Sequence, residues 1–182
     1  MTIPCKLFHV SPTRFEKPRL EPALNFLLDR GEKLNKSPNG SMGIWVSPYP
    51  SACRAFGPEV AALELSSDTR YAVMALDQLY KLYVQANDWP YKEQVLAHQR
   101  LGRALAERCD VLLIGDAHRE AGEIIVLNTH VITKWEWLEN YDFRASTESV
   151  GLNEIKIDLE FSQELRSWQL AAVAAATAAT AR

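Results

Sequence analysis

Cysteine is scarce and scattered. Cys5, Cys53 and Cys109 are three thiols among 182 residues, an odd number with no Cys-x-x-Cys spacing, which excludes full pairing within the chain and predicts reduced thiols. Long apolar runs are missing too. No uncharged stretch of about 18 residues lies in the folded-looking part, and no basic n-region followed by an apolar segment precedes it, so neither a bilayer span nor a secretory leader is expected and a cytoplasmic protein is. Leu170 to Ala181 is mostly alanine, too short and too mildly apolar to span a bilayer, and reads as a fraying helix or a tail. Charge of one sign is also lacking: 20 Lys and Arg against 23 Asp and Glu give a net charge of -3, and so no global attraction to nucleic-acid phosphate.

Several motifs are absent as well. His9, His98, His118 and His130 show no His-Glu-x-x-His spacing, and no metal site is expected. Neither a Walker-type Gly-Lys-Ser/Thr sequence nor a Gly-x-Gly-x-x-Gly turn occurs, which leaves nucleotide hydrolysis and hydride transfer without support. No neighbouring Cys and His pair points to a thiol nucleophile.

What is present is the material of one folded domain. Hydrophobic residues at 47% and charged residues at 24% supply a core and a solvated surface. Lys6-Leu-Phe-His-Val-Ser reads as a strand stopped by Pro12. Ala23, Leu24, Leu27 and Leu28 recur at helical spacing within residues 21–33, and Lys36-Ser-Pro-Asn-Gly-Ser as a loop. Gly43-Ile-Trp-Val is a strand, followed by Ser47-Pro48 as cap and first-turn proline of a short helix to Phe56, which Gly57 ends in the left-handed conformation. Residues 60–65 and 71–76 are strands, residues 91–108 an amphipathic helix, and residues 110–115 and 123–128 further strands around a polar loop at 116–122. Composition turns polar at 144–148. Ile155 to Phe161 then alternates and is expected to close a sheet edge, before a helix or tail over 163–181. Many strands without regular βαβ alternation predict an α+β class. The expected division is a domain at 1–143 and an extension at 144–182.

Three short segments combine chemistry-bearing residues with plausible strand and helix contexts. They are Leu7-Phe-His-Val-Ser-Pro, Gly43-Ile-Trp-Val-Ser with Ser51-Ala-Cys-Arg-Ala-Phe-Gly, and Gly122-Glu-Ile-Ile-Val-Leu-Asn. Singly, each has a plain explanation: His9 as a strand-end histidine, Trp45 and Phe56 as core aromatics, Glu123 as a solvated acid or partner of Arg119, Cys53 as a small buried hydrophobe. Together and in order, they resemble the three signature motifs of ADP-ribosyltransferases. The resemblance is to the His–Tyr–Glu branch that includes poly-ADP-ribose polymerases, diphtheria-like toxins and small phage or bacterial relatives, and its motifs span residues 6–133.

That resemblance implies an ADP-ribosyltransferase-like fold of two packed, mainly antiparallel sheets with flanking helices, and NAD as co-substrate without a metal. It assigns the dinucleotide site to His9, Val10, Ser11, Arg14, Trp45, Ser47, Cys53 and Phe56. His9 would hydrogen-bond the adenosine ribose, and the backbone of Val10, where the family usually has glycine, would grip the nicotinamide amide. Trp45 and Phe56 would sandwich the nicotinamide ring, an arrangement that needs only π faces. Cys53 stands where relatives often place a serine that bonds the amide; Ser47 or Ser51 would take over that role. Arg14, Lys17 and Arg19 follow His9, and Arg14 or Arg19 is favoured for the pyrophosphate because guanidinium suits bidentate phosphate contact.

Glu123 is the implied catalytic residue. Breaking the nicotinamide–ribose bond creates an oxocarbenium-like centre, which a carboxylate held against the ribose stabilises while fixing the sugar. Ala121 stands where arginine-modifying transferases carry Glu or Gln, so arginine is not the expected target. Glu120 and His118 are candidates to position or deprotonate an acceptor. The expected function is transfer of ADP-ribose to a macromolecular acceptor, a protein first and a nucleic acid second. The setting implied is a bacterial or phage effector such as an anti-CRISPR or anti-defence factor, acting in the cytoplasm of an infected or target cell. Two other functions fit the same residues: NAD hydrolysis or nucleic-acid modification on the same fold, and a non-enzymatic inhibitor that keeps the fold without turnover.

Overall fold

The computed structural model describes residues 6–16, 18–75, 89–114, 123–143 and 159–161. Cys5, Lys17, the 116–122 loop with His118, Glu120 and Ala121, the polar run at 144–148, most of Ile155 to Phe161 and the tail lie outside them. The strands are β1 (Leu7–Ser11), β2 (Ile44–Val46), β3 (Glu59–Leu65), β4 (Tyr71–Met74), β5 (Val111–Ile114), β6 (Ile124–Val126), β7 (Ile132–Leu138) and β8 (Leu159–Phe161). The helices are α1 (Leu20–Phe26), which runs into a wider turn at Leu27–Gly31, and α2 (Tyr91–Ala106).

The class is α+β, with two sheets. A three-stranded sheet runs β1-β3-β7 and a five-stranded sheet runs β2-β6-β5-β4-β8. The first is antiparallel throughout. In the second, β2, β6 and β5 are antiparallel neighbours, and β4 lies parallel to both β5 and β8. The parallel β4–β5 pair needs a crossover connection, within which α2 lies. Leu159–Phe161 thus occupies the sheet edge beside β4.

Alternation decides which residues meet. On one face of the large sheet Ile44, Val46, Val111, Leu113, Ile124 and Val126 pack against Leu7 and Leu63 of the small sheet, with Trp135 at the margin. On the opposite face Trp45, Ala72, Met74, Leu112, Ile114 and Ile125 receive Leu101 and Leu105 of α2, together with Met42. β5 reads as an uninterrupted apolar run because both its faces are covered. A full side chain of this kind contributes roughly 1.5–3 kcal/mol when removed from water.

Helical spacing identified α2 correctly, with Val95, Leu101 and Leu105 buried; Leu96 is instead exposed, and His98 takes the inward place. In α1 Ala23 faces solvent while Leu27 carries the burial. The first helix is short because backbone bonds widen after Phe26, and Lys36-Ser-Pro-Asn-Gly-Ser contains a 3-10 turn at Pro38–Ser41 rather than a plain loop.

Asp110 joins three strands at one end of the large sheet. Its carboxylate accepts from the Arg70 N–H at 2.9 Å, from Arg70 Nε at 3.1 Å and from Asn128 Nδ2 at 2.8 Å, and its carbonyl accepts from the Leu127 N–H at 2.8 Å. Burial alone would push this carboxyl up, but the Arg70 and Asn128 bonds outweigh it and hold the group at about 2, against an ordinary 3.8. A carboxyl depressed on folding stabilises the fold above its unfolded pKa, and that stability is lost as pH falls through the folded value. Urea midpoints measured at steps from pH 5 to pH 2 are therefore expected to fall mainly below pH 4, with about 2 kcal/mol assignable to Asp110. Asp110→Asn should lower stability at pH 7 and flatten that acid slope.

Candidate functional site

The two sheets meet where β1 touches the end of β2. Phe8 N–H donates to the Ser47 carbonyl at 2.8 Å, and Ser47 N–H donates to the Phe8 carbonyl at 2.9 Å. Successive residues of an antiparallel strand aim their polar groups to opposite sides. Because Phe8 faces β2 and the next residue faces β3, Val10 aims its N–H and C=O back to the β2 side, across from Trp45, where no backbone bond joins the two strands. The backbone the resemblance assigns to the nicotinamide amide thus lines the gap between diverging strands. Val10's own side chain is buried beside Phe8, Val60 and Ala62 on the face away from His9, so the valine fills core without narrowing that gap.

His9 closes the gap from the other face. Its Nδ1 lies 2.8 Å from the Trp45 carbonyl, and since a carbonyl only accepts, Nδ1 carries the proton and Nε2 is left as an acceptor. Burial pushes the imidazole below its ordinary range, and the bond to Trp45 opposes this only in part. A neutral ring with a free Nε2 lone pair suits a hydroxyl donor such as a ribose hydroxyl.

Glu123 enters from the third segment. β2 pairs with β6 as Trp45 with Ile125 and Val46 with Ile124, so one further step of this register sets Ser47 across from Glu123. Both then stand on the face that carries Trp45. The Glu123 carbonyl is held by the Ile114 N–H at 2.9 Å, which fixes the backbone while the side chain reaches solvent. Partial desolvation raises its carboxyl above the ordinary range. Cys53 belongs to the same group: burial raises its thiol, the Ser47 hydroxyl opposes this, and the nearby Glu123 charge adds to the rise. A thiol so placed stays protonated. The cysteine at the usual serine position therefore acts as a weak hydrogen-bonding neighbour of Ser47 rather than a nucleophile.

The helix of the second segment begins later than its sequence suggests. Ser47 remains in extended chain because its backbone is engaged by Phe8, and Pro48 stands in a bend; Tyr49 precedes a 3-10 helix at Pro50–Phe56, with Pro50 in the first turn. Ser47 still serves locally, accepting from the Tyr49 N–H at 3.0 Å. Gly57 is not left-handed helical. Its φ of 155° and ψ of -179° place it in a region open essentially to glycine, and an added Cβ would stand 2.2 Å from the Ser11 carbonyl oxygen. Glycine is required twice over, by conformation and by contact with the end of β1.

The aromatic pair is placed asymmetrically. Phe56 is 65% exposed, an unusual position for a phenyl ring without a partner and one suited to stacking. Trp45 is half-buried, packs against the α2 side of the core and donates Nε1 to the Asn39 carbonyl at 3.3 Å. Among the described residues no ring contact joins the two. Ser51 is exposed, and Ser11 is buried with its hydroxyl accepting from the Thr13 N–H.

Arg14 differs from its expected free state. Its Nε donates to Glu59 at 2.6 Å and its terminal nitrogens to Glu139, so the guanidinium is already occupied by two carboxylates. Arg19 lies exposed ahead of α1. Sequence spacing also gave no sign of the aromatic group around His9. Phe15 and Trp135 lie 5.8 and 5.6 Å from the imidazole, and Trp137 joins them at 5.1 and 5.7 Å. More than a hundred residues separate Phe15 from the tryptophans; the alternation of Trp135 and Trp137 in one strand was the available signal.

Among the described residues no cluster of His, Cys, Asp or Glu is arranged to hold a metal ion, and no helix is long and apolar enough to cross a membrane. Comparison with protein-family models, with curated proteins and with solved structures yields no match.

The Gly57 contact makes a direct prediction. Gly57→Ala should lower stability by about 2 kcal/mol or more and should separate the Pro50–Phe56 helix from β1. Chemical denaturation gives the first quantity, and hydrogen exchange at the Phe8 and Ser47 amides the second; an unchanged midpoint would contradict the packing described.

Proposed function

We propose that this chain transfers ADP-ribose from NAD to a macromolecular acceptor, a protein in the first instance. One observation carries the reading. Segments far apart in sequence meet at the β1–β2 junction: Phe8 bonds Ser47, His9 lies 2.8 Å from the Trp45 carbonyl, and Cys53 neighbours Ser47 and the Glu123 charge. Those segments are the ones the motif resemblance names, and their residue types match what a nicotinamide ribosyl donor demands.

In this reading the Val10 N–H and C=O hold the carboxamide, and Phe56 covers one face of the nicotinamide ring. His9 Nε2 accepts from the adenosine ribose. The bond from ribose C1′ to the nicotinamide nitrogen breaks with its electrons leaving on nicotinamide, and the cationic sugar is stabilised by ionised Glu123. The acceptor then bonds to C1′ and gives up its proton. Trp45 acts from behind, through the carbonyl that orients His9, rather than as a second stacking wall. The 116–122 loop carries the candidates for acceptor choice, so the acceptor's residue type does not follow from the donor site.

The state of Glu123 gives the reading two separable tests. Ionised Glu123 is needed for transfer, and desolvation raises its carboxyl, so activity should fail on the acid side above the pH at which an ordinary carboxyl titrates, near 4.5. With isotopically labelled NAD and a cell extract, Glu123→Gln should reduce labelling by about a hundredfold or more. A group raised on folding weakens the fold as pH rises through its pKa, so the same variant should melt no lower than wild type at pH 7. Equal labelling by both proteins would remove Glu123 from the catalytic role. Nicotinamide release without labelled macromolecule would move the reading to NAD hydrolysis.

A further inference from the structure

Residues 12–16 leave β1 and lie across the face where His9 emerges, fastened at two points. Arg14 bridges Glu59 and Glu139, engaging the latter through both terminal nitrogens. The Phe15 carbonyl accepts from Trp137 Nε1 at 2.8 Å. Between these points the Phe15 ring meets His9 edge-on at 5.8 Å and lies 5.3 Å from Trp135. Beneath it the Trp135 Nε1–H is buried with no hydrogen-bond partner. A buried donor left unsatisfied is costly, so this closed arrangement is incomplete in a way that an oxygen-bearing ligand would correct.

The fastenings are also weak where they face solvent. The Arg14 side chain is 39% exposed and that of Glu139 73%, and ion pairs in water at such exposure hold little. A guanidinium fork donates to phosphate oxygens with the same geometry as to carboxylate oxygens, and a pyrophosphate offers more charge than one glutamate. We propose that residues 12–16 form a latch over His9 that a phosphate-class anion opens, with Arg14 exchanging Glu139 for the pyrophosphate of the dinucleotide. Glu59 stays bonded to Nε and keeps the guanidinium oriented. Phe15 moves off the histidine, exposing its edge and the Trp135 N–H together. Only the identity of the anion rests on the NAD reading; the latch itself does not.

Carbethoxylation of histidines, read peptide by peptide by mass spectrometry on the full chain, tests both parts. Exposed His130 serves as the internal reference and buried His98 as the sentinel for unfolding. Glu139→Gln should raise His9 modification about fivefold relative to His130, with His98 unchanged. Inorganic pyrophosphate should do the same to wild type. In Arg14→Gln, His9 should already react fast and pyrophosphate should add nothing. No change at His9 in either Glu139→Gln or pyrophosphate-treated wild type overturns the latch, as does a pyrophosphate response that persists in Arg14→Gln. If Glu139→Gln also exposes His98, the wild-type pyrophosphate arm decides alone. NAD should slow His9 modification in the opened Glu139→Gln protein; a pyrophosphate response without that protection keeps the latch and removes the dinucleotide as its ligand.

Discussion

The pair of backbone hydrogen bonds between Phe8 and Ser47 is the constraint from which the rest of the site follows. It ties the edge of one sheet to the edge of the other at a single place and leaves the strands to diverge beyond it. On the side facing β2 the Val10 amide and carbonyl make no backbone bond to that strand, although the residue is buried. The same bonds hold Ser47 extended and delay the helix start to Pro50. The position of the Val10 backbone and that of the Ser47 segment both follow from one junction.

Polar groups at this junction are held against their solvation preferences. His9 is kept neutral by burial and Glu123 is kept partly dry, and both costs are tolerated because the two sheets share an apolar interior and α2 covers the far face. Asp110 shows the opposite treatment: it too is buried, yet it is so fully hydrogen-bonded that it remains ionised far into acid. One carboxyl is satisfied and serves architecture. The other, Glu123, is raised by desolvation instead.

Periodicity in the sequence revealed most strands, the long helix and the α+β class, because apolar alternation reports burial directly. The nearness of Cys53 to Glu123 follows from no local rule, since such rules do not place residues 70 positions apart side by side. Local rules failed where a tertiary contact overruled them. Ser47-Pro48 has the form of a helix start, but its backbone is engaged by β1. Gly57 has the form of a helix stop, but its conformation is set by the carbonyl of Ser11. Arg14 has the form of a free phosphate ligand, but two glutamates from distant strands hold it. Trp45 has the form of a site aromatic, yet strand alternation turns its ring to the α2 side and leaves its carbonyl to His9.

The order in which β1, β3 and β7 lie side by side has a further consequence for how the molecule comes into being. β1 pairs with β3, and β3 is completed on its other side by β7, which follows some seventy residues later. Contacts between such distant segments are slow to form, because the intervening chain must first be brought together. As the chain leaves the ribosome, His9 emerges early, but Glu123 and the tryptophans that flank the histidine come near the end of the described domain. A nascent or truncated chain therefore holds His9 and Glu123 apart, and the junction between the sheets is completed as one late event of assembly.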